Sequence, residues 1–188
     1  MSAGIAVVSL ALIVASEFSQ AQNTGTSTSN LASSELAAVD YYFVAQANLG
    51  AAFQIDSGCV AEVKAKRIAI RNYAHATVAA QIQVAAALNK ILQEKHIKAP
   101  RRTLLVGAYQ AMIASLRAER RGALDRDYVA DQVDYQRGNA ALFHNEIERG
   151  YDQELRQFVL ANLPEVEGDL QRALTLPKDN KPGKAATQ

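Results

Sequence analysis

The sequence predicts an all-α protein, an antiparallel four-helix bundle with one extra short helix. Alanine is abundant, whereas glycine and proline number only 10 and 4 among 188 residues, and this balance favours helices over turns. Apolar residues recur with the helical period along four long segments and one short one, with brief connections between them. Four long amphipathic helices with short connections are typical of an antiparallel bundle.

The first helical segment spans about residues 34–66, and Ser34 with Glu35 supplies the capping and first-turn chemistry that a helix start requires. The second segment spans about residues 67–95 and ends before Pro100, which cannot continue a helix. A shorter helix follows, and its apolar stripe consists of Leu104, Leu105, Ala108, Met112, Ile113 and Leu116.

The last two segments are separated by Gly150 and span about residues 123–149 and 151–176. Pro164 lies inside the final segment and is expected to kink that helix or restart it. Cys59 is the only cysteine, which excludes an intrachain disulfide, and we expect it to be a small buried thiol of the first helix.

The two ends of the chain differ from this helical pattern. Residues 1–21 are typical of a signal peptide, with an apolar run too short to span a bilayer and small residues before a cut after Ala21; the alternative is an uncleaved N-terminal anchor. Residues 22–33 are a polar Ser/Thr-rich linker, residues 34–176 the helical-bundle domain, and residues 177–188 a disordered tail. The basic tail could make peripheral contact with a membrane, although a solvated tail is favoured.

The charge balance limits the partners of this protein. Twenty Lys and Arg residues stand against 19 Asp and Glu, so the formal net charge is +1 and no strong field attracts nucleic acid. Aromatic residues make up 6%, which leaves few platforms for stacking bases. We therefore expect no nucleic-acid partner.

Polar residues lie on the apolar stripes of three helices. When residues are projected at 100° each, Asp125, Gln132 and Gln136 fall on the stripe of the fourth segment. Gln81 lies mid-stripe on the second segment, and Asn162 and Asp169 lie at the stripe's edge on the last. These six residues form a predicted polar seam, which we expect to bond internally, to water or to a ligand, because an unpaired buried amide costs about 1–3 kcal/mol.

Three segments resemble an uncharacterised family of exported bacterial proteins. They read IRNYAHATVAAQIQVAAAL, LDRDYVADQVDYQRGNAALF and NLPEVEGDLQRAL. The family is usually labelled "predicted outer membrane protein" and is grouped with ferritin-like bundles, so the resemblance implies a ferritin-like antiparallel four-helix bundle exported to the periplasm or outer membrane. Its members typically carry a histidine in each segment, at positions that correspond to Gln81, Gln136 and Asp169 here, and an acidic residue that corresponds to Asp56.

The missing histidines argue against a metal centre, because amides are poor ligands for transition metals. A carboxylate-bridged di-metal site should also show Glu-x-x-His on two helices, and no glutamate here has that spacing. His75 and His144 project away from the core, and His96 lies in a loop. We therefore expect no cofactor, no bound metal and no catalytic residue.

The leading interpretation is an exported, non-enzymatic bundle with a binding or maintenance role in the envelope, whose partner is an envelope protein or a small ligand. One alternative is a ferritin-like metalloprotein with a degenerate site, which requires Asp56, Asp125 and Asp169 to converge. Another is an accessory subunit of a periplasmic enzyme. Its candidate contact residues are the tyrosines that fall off the apolar stripes, Tyr41, Tyr42, Tyr109 and Tyr151.

Overall fold

A computed structural model describes residues 36–98, 107–119 and 121–177, and these residues contain five helices and no strand. The all-α prediction is therefore confirmed for this part of the chain. The described residues do not include the predicted signal peptide, the linker, the helix start at Ser34 and Glu35, Pro100, Leu104, Leu105 or residues 178–188 of the predicted tail. The helices are α1 (Ala38–Lys64), α2 (Ile68–Glu94), α3 (Ala108–Ala118), α4 (Arg121–Arg149) and α5 (Gln153–Thr175).

Two residues of the last hairpin, Asp152 and Pro164, bear on the bounds of α5. Helix α5 begins at Gln153 because the Asp152 side chain accepts the backbone N–H groups of Glu154 and Leu155, at 3.0 and 3.1 Å, and so acts as its N-cap. Pro164 neither ends nor restarts α5, which is a single helix to Thr175. Proline leaves the carbonyl of Leu160 without its helical partner. Since Leu160 is exposed, water can satisfy that carbonyl.

Helix α1 is antiparallel to both α2 and α4. A tight turn at residues 65–67 joins α1 to α2. The beginning of α1 contacts the end of α4 through Asp40, which bonds the backbone of Tyr151, while Asp125 near the beginning of α4 bonds the backbone after α1. It follows that α2 and α4 run parallel, and α3 comes between them in the sequence. Helices α4 and α5 form a second hairpin.

Two apolar clusters fill the interior, one towards each end of the four long helices. The first contains Ala61, Ala65, Ile70, Tyr73, Ala74, Leu116, Leu124, Tyr128, Val129, Val133 and Ala173. The second contains Phe43, Val44, Leu88, Leu92, Phe143, Leu155, Phe158, Val159 and Val166. Burial of these side chains from water is the main force that holds the helices together.

Helix α3 packs on the outside of α1 and is held at both ends. Tyr109 at its beginning stacks on Phe53, with ring centroids 4.6 Å apart. At its end, the Lys64 ammonium donates to the carbonyl oxygens of Leu116, Arg117 and Glu119. A cation at this position satisfies carbonyls that a helix leaves free and interacts favourably with the helix dipole.

Two surface features complete the fold. Cys59 is exposed on α1, so the expectation of a buried thiol is wrong. It lies on the outer side of α1, next to the buried Gly58, which contacts Val78 of α2. Within the described residues, no helix combines the length and the apolar character that crossing a bilayer requires.

Candidate functional site

A layer of polar side chains separates the two apolar clusters, and each of the four long helices contributes to it. We call this set the central polar layer. All of its members are buried: Gln54 and Ser57 from α1, Thr77 and Gln81 from α2, Gln132, Gln136 and Asn139 from α4, and Asp169 from α5. On every helix these residues stand next to or between members of the two clusters, so the layer crosses the middle of the bundle.

Three glutamines of the layer, Gln54, Gln132 and Gln136, are completely excluded from solvent. Both amide atoms of Gln54 and of Gln136, and the amide nitrogen of Gln132, have no hydrogen-bonding partner among the described residues. The oxygen of Gln132 has only a long contact of 3.4 Å with the Tyr73 hydroxyl. An unpaired buried amide costs about 1–3 kcal/mol, so these three side chains have hydrogen-bonding capacity that their described neighbours do not satisfy.

The position of Gln54 follows from its neighbours on α1. Gly50 has no side chain, and Tyr135 of α4 packs directly against it. Phe53 packs on the same Tyr135 ring, with centroids 5.6 Å apart. The part of α1 that carries Gln54 therefore runs beside the part of α4 that carries Gln132 and Gln136, and the three amides lie at one level of the bundle.

Tyrosines border this level on the side of the first apolar cluster. Tyr73 and Tyr128 pack edge to face, with centroids 6.4 Å apart, and the Tyr128 hydroxyl has no partner among the described residues. Burial and the nearby Asp169 raise the pKa of Tyr73 to about 12. Both phenols therefore stay neutral near pH 7 and add hydrogen-bonding capacity without charge.

Asp169 is the only acidic member of the layer. Burial raises its pKa, whereas Arg172, whose Nε donates to Asp169 Oδ1 at 3.1 Å, acts in the opposite direction. Arg172 also bonds Glu165, so these groups form a charged cluster that extends from the layer to the surface of α5. The charge of Asp169 is thus compensated at the edge of the layer, and the middle is made of amides.

The six residues of the predicted polar seam do not all meet. Gln81, Gln132, Gln136 and Asp169 are buried in the central polar layer. Asp125 is buried elsewhere, at the α1–α2 turn, where its carboxylate accepts the N–H groups of Lys66 and Arg67 at 2.8 and 3.1 Å. Asn162 is half-buried and donates to the carbonyl of Phe158 in its own helix, at 2.7 Å. Both of these residues have local structural roles.

The three carboxylates of the metal alternative have separate environments. Asp56 is exposed on α1. Asp125 binds backbone, and Asp169 pairs with Arg172. Across the described stretches, no three or more His, Cys, Asp or Glu side chains come together in a way that could hold a metal ion. His75, His96 and His144 are all exposed; His75 bonds Glu62, and His144 bonds Glu167 of α5.

The off-stripe tyrosines divide into two groups. Tyr41, Tyr42 and Tyr151 are 51%, 52% and 81% exposed, which leaves them free to contact another molecule. Tyr109 is instead half-buried on Phe53 and contributes to the packing of α3. A surface cleft of about 590 Å³ lies beside Tyr151, and none of the residues of the central polar layer lines it.

Sequence reasoning missed Gln54, Asp40 and Glu146, which are all fully buried. Gln54 had a signal: it lies four residues after Gly50 and eleven after Phe43, a spacing that places the three on one face of a helix. Asp40 and Glu146 had none, because the turn that covers them becomes their neighbour only in the folded chain.

A family model described as "Domain of unknown function (DUF4142)" matches residues 25–176. The chain belongs to the DUF4142 family. The matched range contains every described helix, and hence the whole central polar layer of this DUF4142 protein. No curated protein and no solved structure matches the chain.

Proposed function

We propose that this DUF4142 protein is an exported helical bundle that binds a small polar ligand in its central polar layer and performs no enzymatic reaction of its own. The observation that carries this proposal is the set of three fully buried glutamines whose amides lack partners among the described residues. Leucine would fill the same volume without an unpaired polar group. Retaining amides at three adjacent positions is therefore explained best by a guest that bonds them.

The chemistry of the layer restricts that ligand. Each glutamine offers two N–H donors and one carbonyl acceptor, and the bordering tyrosines add hydroxyl groups. None of these groups is charged near pH 7, and Asp169 is compensated by Arg172. The best match is an uncharged molecule with both donors and acceptors, such as a compound with hydroxyl or amide groups. An ion would lose its hydration shell in this layer without gaining a counter-charge.

Two further parts of the proposal concern ancestry and location. The connection that contains α3 joins two parallel helices, and a single long crossover is the arrangement found in ferritin-like bundles. The signal-peptide pattern of residues 1–21 supports export to the periplasm or outer membrane, where the partner or ligand would be found. Sequencing the N-terminus of the protein isolated from cells tests the export, with a first residue of Gln22 expected.

The ligand proposal is tested first on untagged protein purified from the cell envelope. After denaturation, the released compounds are identified by mass spectrometry and the metal content is measured by elemental analysis. We expect a stoichiometric neutral polar compound. A stoichiometric metal would instead support the metalloprotein alternative, and a protein that releases neither would contradict ligand binding in this layer.

Leucine substitutions then locate the ligand. Gln54→Leu, Gln132→Leu and Gln136→Leu, singly and combined, are compared with Gln83→Leu, a control at an exposed position of α2. We expect the three buried variants to keep or raise the melting temperature, because each removes a costly unpaired amide, and to lose the compound. The control should retain it. If the buried variants lower the melting temperature sharply, the amides are structural and the proposal is wrong.

A further inference from the structure

A second buried polar site lies at the end of the bundle, where α1 begins and α4 ends. The side chains of Asp40 and Glu146 are 1% and 0% exposed. Asp40 Oδ1 accepts the backbone N–H groups of Tyr151 and Asp152, at 2.9 and 3.2 Å. These bonds fasten the α4–α5 turn, residues 150–152, to the first turn of α1.

Glu146 lies directly beneath this turn. A Cβ atom added to Gly150 would lie 2.5 Å from Glu146 Oε1 and equally close to its backbone oxygen, so only glycine fits there. Neither carboxyl oxygen of Glu146 has a donor among the described residues. Asp40 bonds the N–H groups of Tyr151 and Asp152 while Glu146 packs against Gly150, so the two carboxyl groups meet at the same turn.

Two carboxyl groups in this arrangement cannot both be ionised, because like charges repel strongly where water is excluded. A proton on Glu146 removes the repulsion between the two carboxylates. It also gives Glu146 a hydrogen-bonding partner, because the protonated acid can donate to Asp40. Asp40 then keeps its negative charge for the two backbone N–H groups. The geometry therefore requires a proton at this place to hold the turn.

We propose that Asp40 and Glu146 share one proton, and that this proton keeps the α4–α5 turn docked on α1 until a rise in pH removes it. The loss of the proton to solvent leaves two carboxylates facing each other beneath Gly150, and the turn separates from α1. The site is independent of the ligand proposed for the central polar layer.

The surrounding charged groups are consistent with this assignment. Burial raises the pKa of Glu146 to about 8; the hydrogen bond and the charge of Asp40 and the charge of Asp152 act in the same direction, and Arg156 of α5 opposes them. Lys95 at the end of α2 is occupied by Asp152 and Glu154, with N–O distances of 2.9 Å each. No cation near Glu146 therefore favours its ionised form strongly enough to outweigh the effect of burial.

A proton suits this pair better than a metal ion. Divalent cations of the hard type bind about six or more oxygens, whereas only two carboxyl groups meet here. No third acidic or histidine side chain completes a ligand set in the described part of the chain.

The proton makes the fold sensitive to pH in a defined direction. In the unfolded chain Glu146 ionises near its ordinary value of 4.5, whereas the folded protein keeps the proton up to about pH 8. Between these values the folded state binds the extra proton, so its stability falls as the pH rises. The unfolding equilibrium constant should increase by about tenfold per pH unit within this window.

The experiment uses the full-length protein and amide hydrogen exchange from about pH 5 to about pH 9. Protection factors, corrected for the intrinsic exchange rate at each pH, are measured for the amides of Tyr151 and Asp152. The amides of Lys66 and Arg67, which Asp125 holds in the same way, are the internal reference. We expect protection of the first pair to fall by about tenfold per pH unit up to about pH 8 and to level off above it, and protection of the reference pair to fall less.

Variants identify the group that titrates. Glu146→Gln keeps a donor towards Asp40 and cannot lose a proton, so it should abolish the fall in protection; Glu148→Gln, at an exposed position of the same helix, should preserve it. The ¹³C resonance of the Glu146 carboxyl in the unmodified protein should titrate near pH 8. An ordinary titration of that carboxyl, or equal behaviour of the two amide pairs, would overturn the proposal, as would a fall that persists in Glu146→Gln.

Discussion

The two hairpin turns of this bundle are held by the same kind of contact. At the α1–α2 turn, Asp125 of α4 accepts the N–H groups of Lys66 and Arg67. At the opposite end, Asp40 of α1 accepts those of Tyr151 and Asp152. In both cases a buried aspartate from a neighbouring helix bonds two consecutive backbone donors and so connects the two hairpins.

The two turns differ in the charge beside the aspartate. Arg67 lies 4.0 Å from Asp125, so the carboxylate faces a cation as well as two N–H groups. Asp40 instead shares its turn with the buried carboxyl of Glu146, which lies against Gly150. The same kind of contact can thus be independent of pH at one end of a protein and depend on pH at the other. The neighbouring side chain makes the difference, because a cation stabilises a carboxylate whereas a second carboxylate destabilises it.

The largest effect on stability is expected when the contact of Asp125 with the α1–α2 turn is removed. Asp125→Ala leaves two backbone donors without their acceptor and Arg67 without its counter-charge, so we expect the free energy of unfolding to fall by about 3–5 kcal/mol. Urea denaturation at neutral pH measures it. Asp127→Ala removes a carboxylate that pairs with exposed Arg126 and should change stability very little. An equally small loss for Asp125→Ala would show that the α1–α2 turn is stable without Asp125.

The same substitution at the other end should cost less. Asp40→Ala also removes the acceptor of two N–H groups, but it relieves Glu146 of a neighbouring carboxylate. We expect a loss of about 2 kcal/mol near pH 8. The pKa of Glu146 should also move down towards its ordinary value, which ¹³C NMR can follow. Equal losses for Asp40→Ala and Asp125→Ala at that pH would mean that the two carboxyl groups do not oppose each other.

The space around two glycines, one inside α4 and one just after it, allows a third comparison. Gly150→Ala places a methyl group 2.5 Å from the backbone oxygen and the carboxyl of Glu146, and we expect a loss of about 1–3 kcal/mol in stability. Gly138→Ala is the matched change on the same helix, where an added Cβ meets nothing within 4 Å. It should stabilise the protein by about 0.5–1 kcal/mol, since alanine is the better helix former. Thermal unfolding distinguishes the two, and a stabilising Gly150→Ala would contradict the tight packing of the turn on Glu146.

The sequence predicted the middle of the bundle better than its ends. Gln81, Gln132 and Gln136 fall on clear apolar stripes, and the structure buries all three. Gln54 is harder to find because α1 is buried at five consecutive positions, 50–54, where α2, α3 and α4 surround it, so that helix has no single apolar face.

The acid pair at the bundle end illustrates what periodicity cannot show. Asp40 occupies the first turn of α1, a usual place for an exposed acidic residue, and Glu146 lies more than a hundred residues further along the chain. Their burial depends on a turn that packs over both of them. Such long-range packing determines whether a carboxylate is solvated or shares a proton. The spacing of residues along one helix does not indicate it.

The smallest expected effect separates the acid pair from its ionic surroundings. Lys95 donates to Asp152 and Glu154 beside the α4–α5 turn, so Lys95→Met should lower the free energy of unfolding by about 0.5–1 kcal/mol, and less in high salt. Bonding to Glu154 and Asp152 raises the pKa of Lys95 above 10.5. Burial opposes the ionisation of Asp152, but its contact with Lys95 and the N–H groups of Leu155 and Glu154 together outweigh burial and lower the pKa of that carboxyl from its usual value.

The stability contributed by the Lys95 bridge is therefore lost only as the pH falls below the ordinary aspartate value or rises above the ordinary lysine value. Between about pH 5 and about pH 8 the bridge is constant, whereas Glu146 changes its proton occupancy relative to the unfolded chain. Lys95→Met should accordingly shift the whole curve of stability against pH downwards in this range without changing its slope, and Glu146→Gln should flatten the slope. If denaturation curves at several pH values show that Lys95→Met changes the slope, the pH dependence belongs to the ion pair, and the difference between the two turns does not come from Glu146.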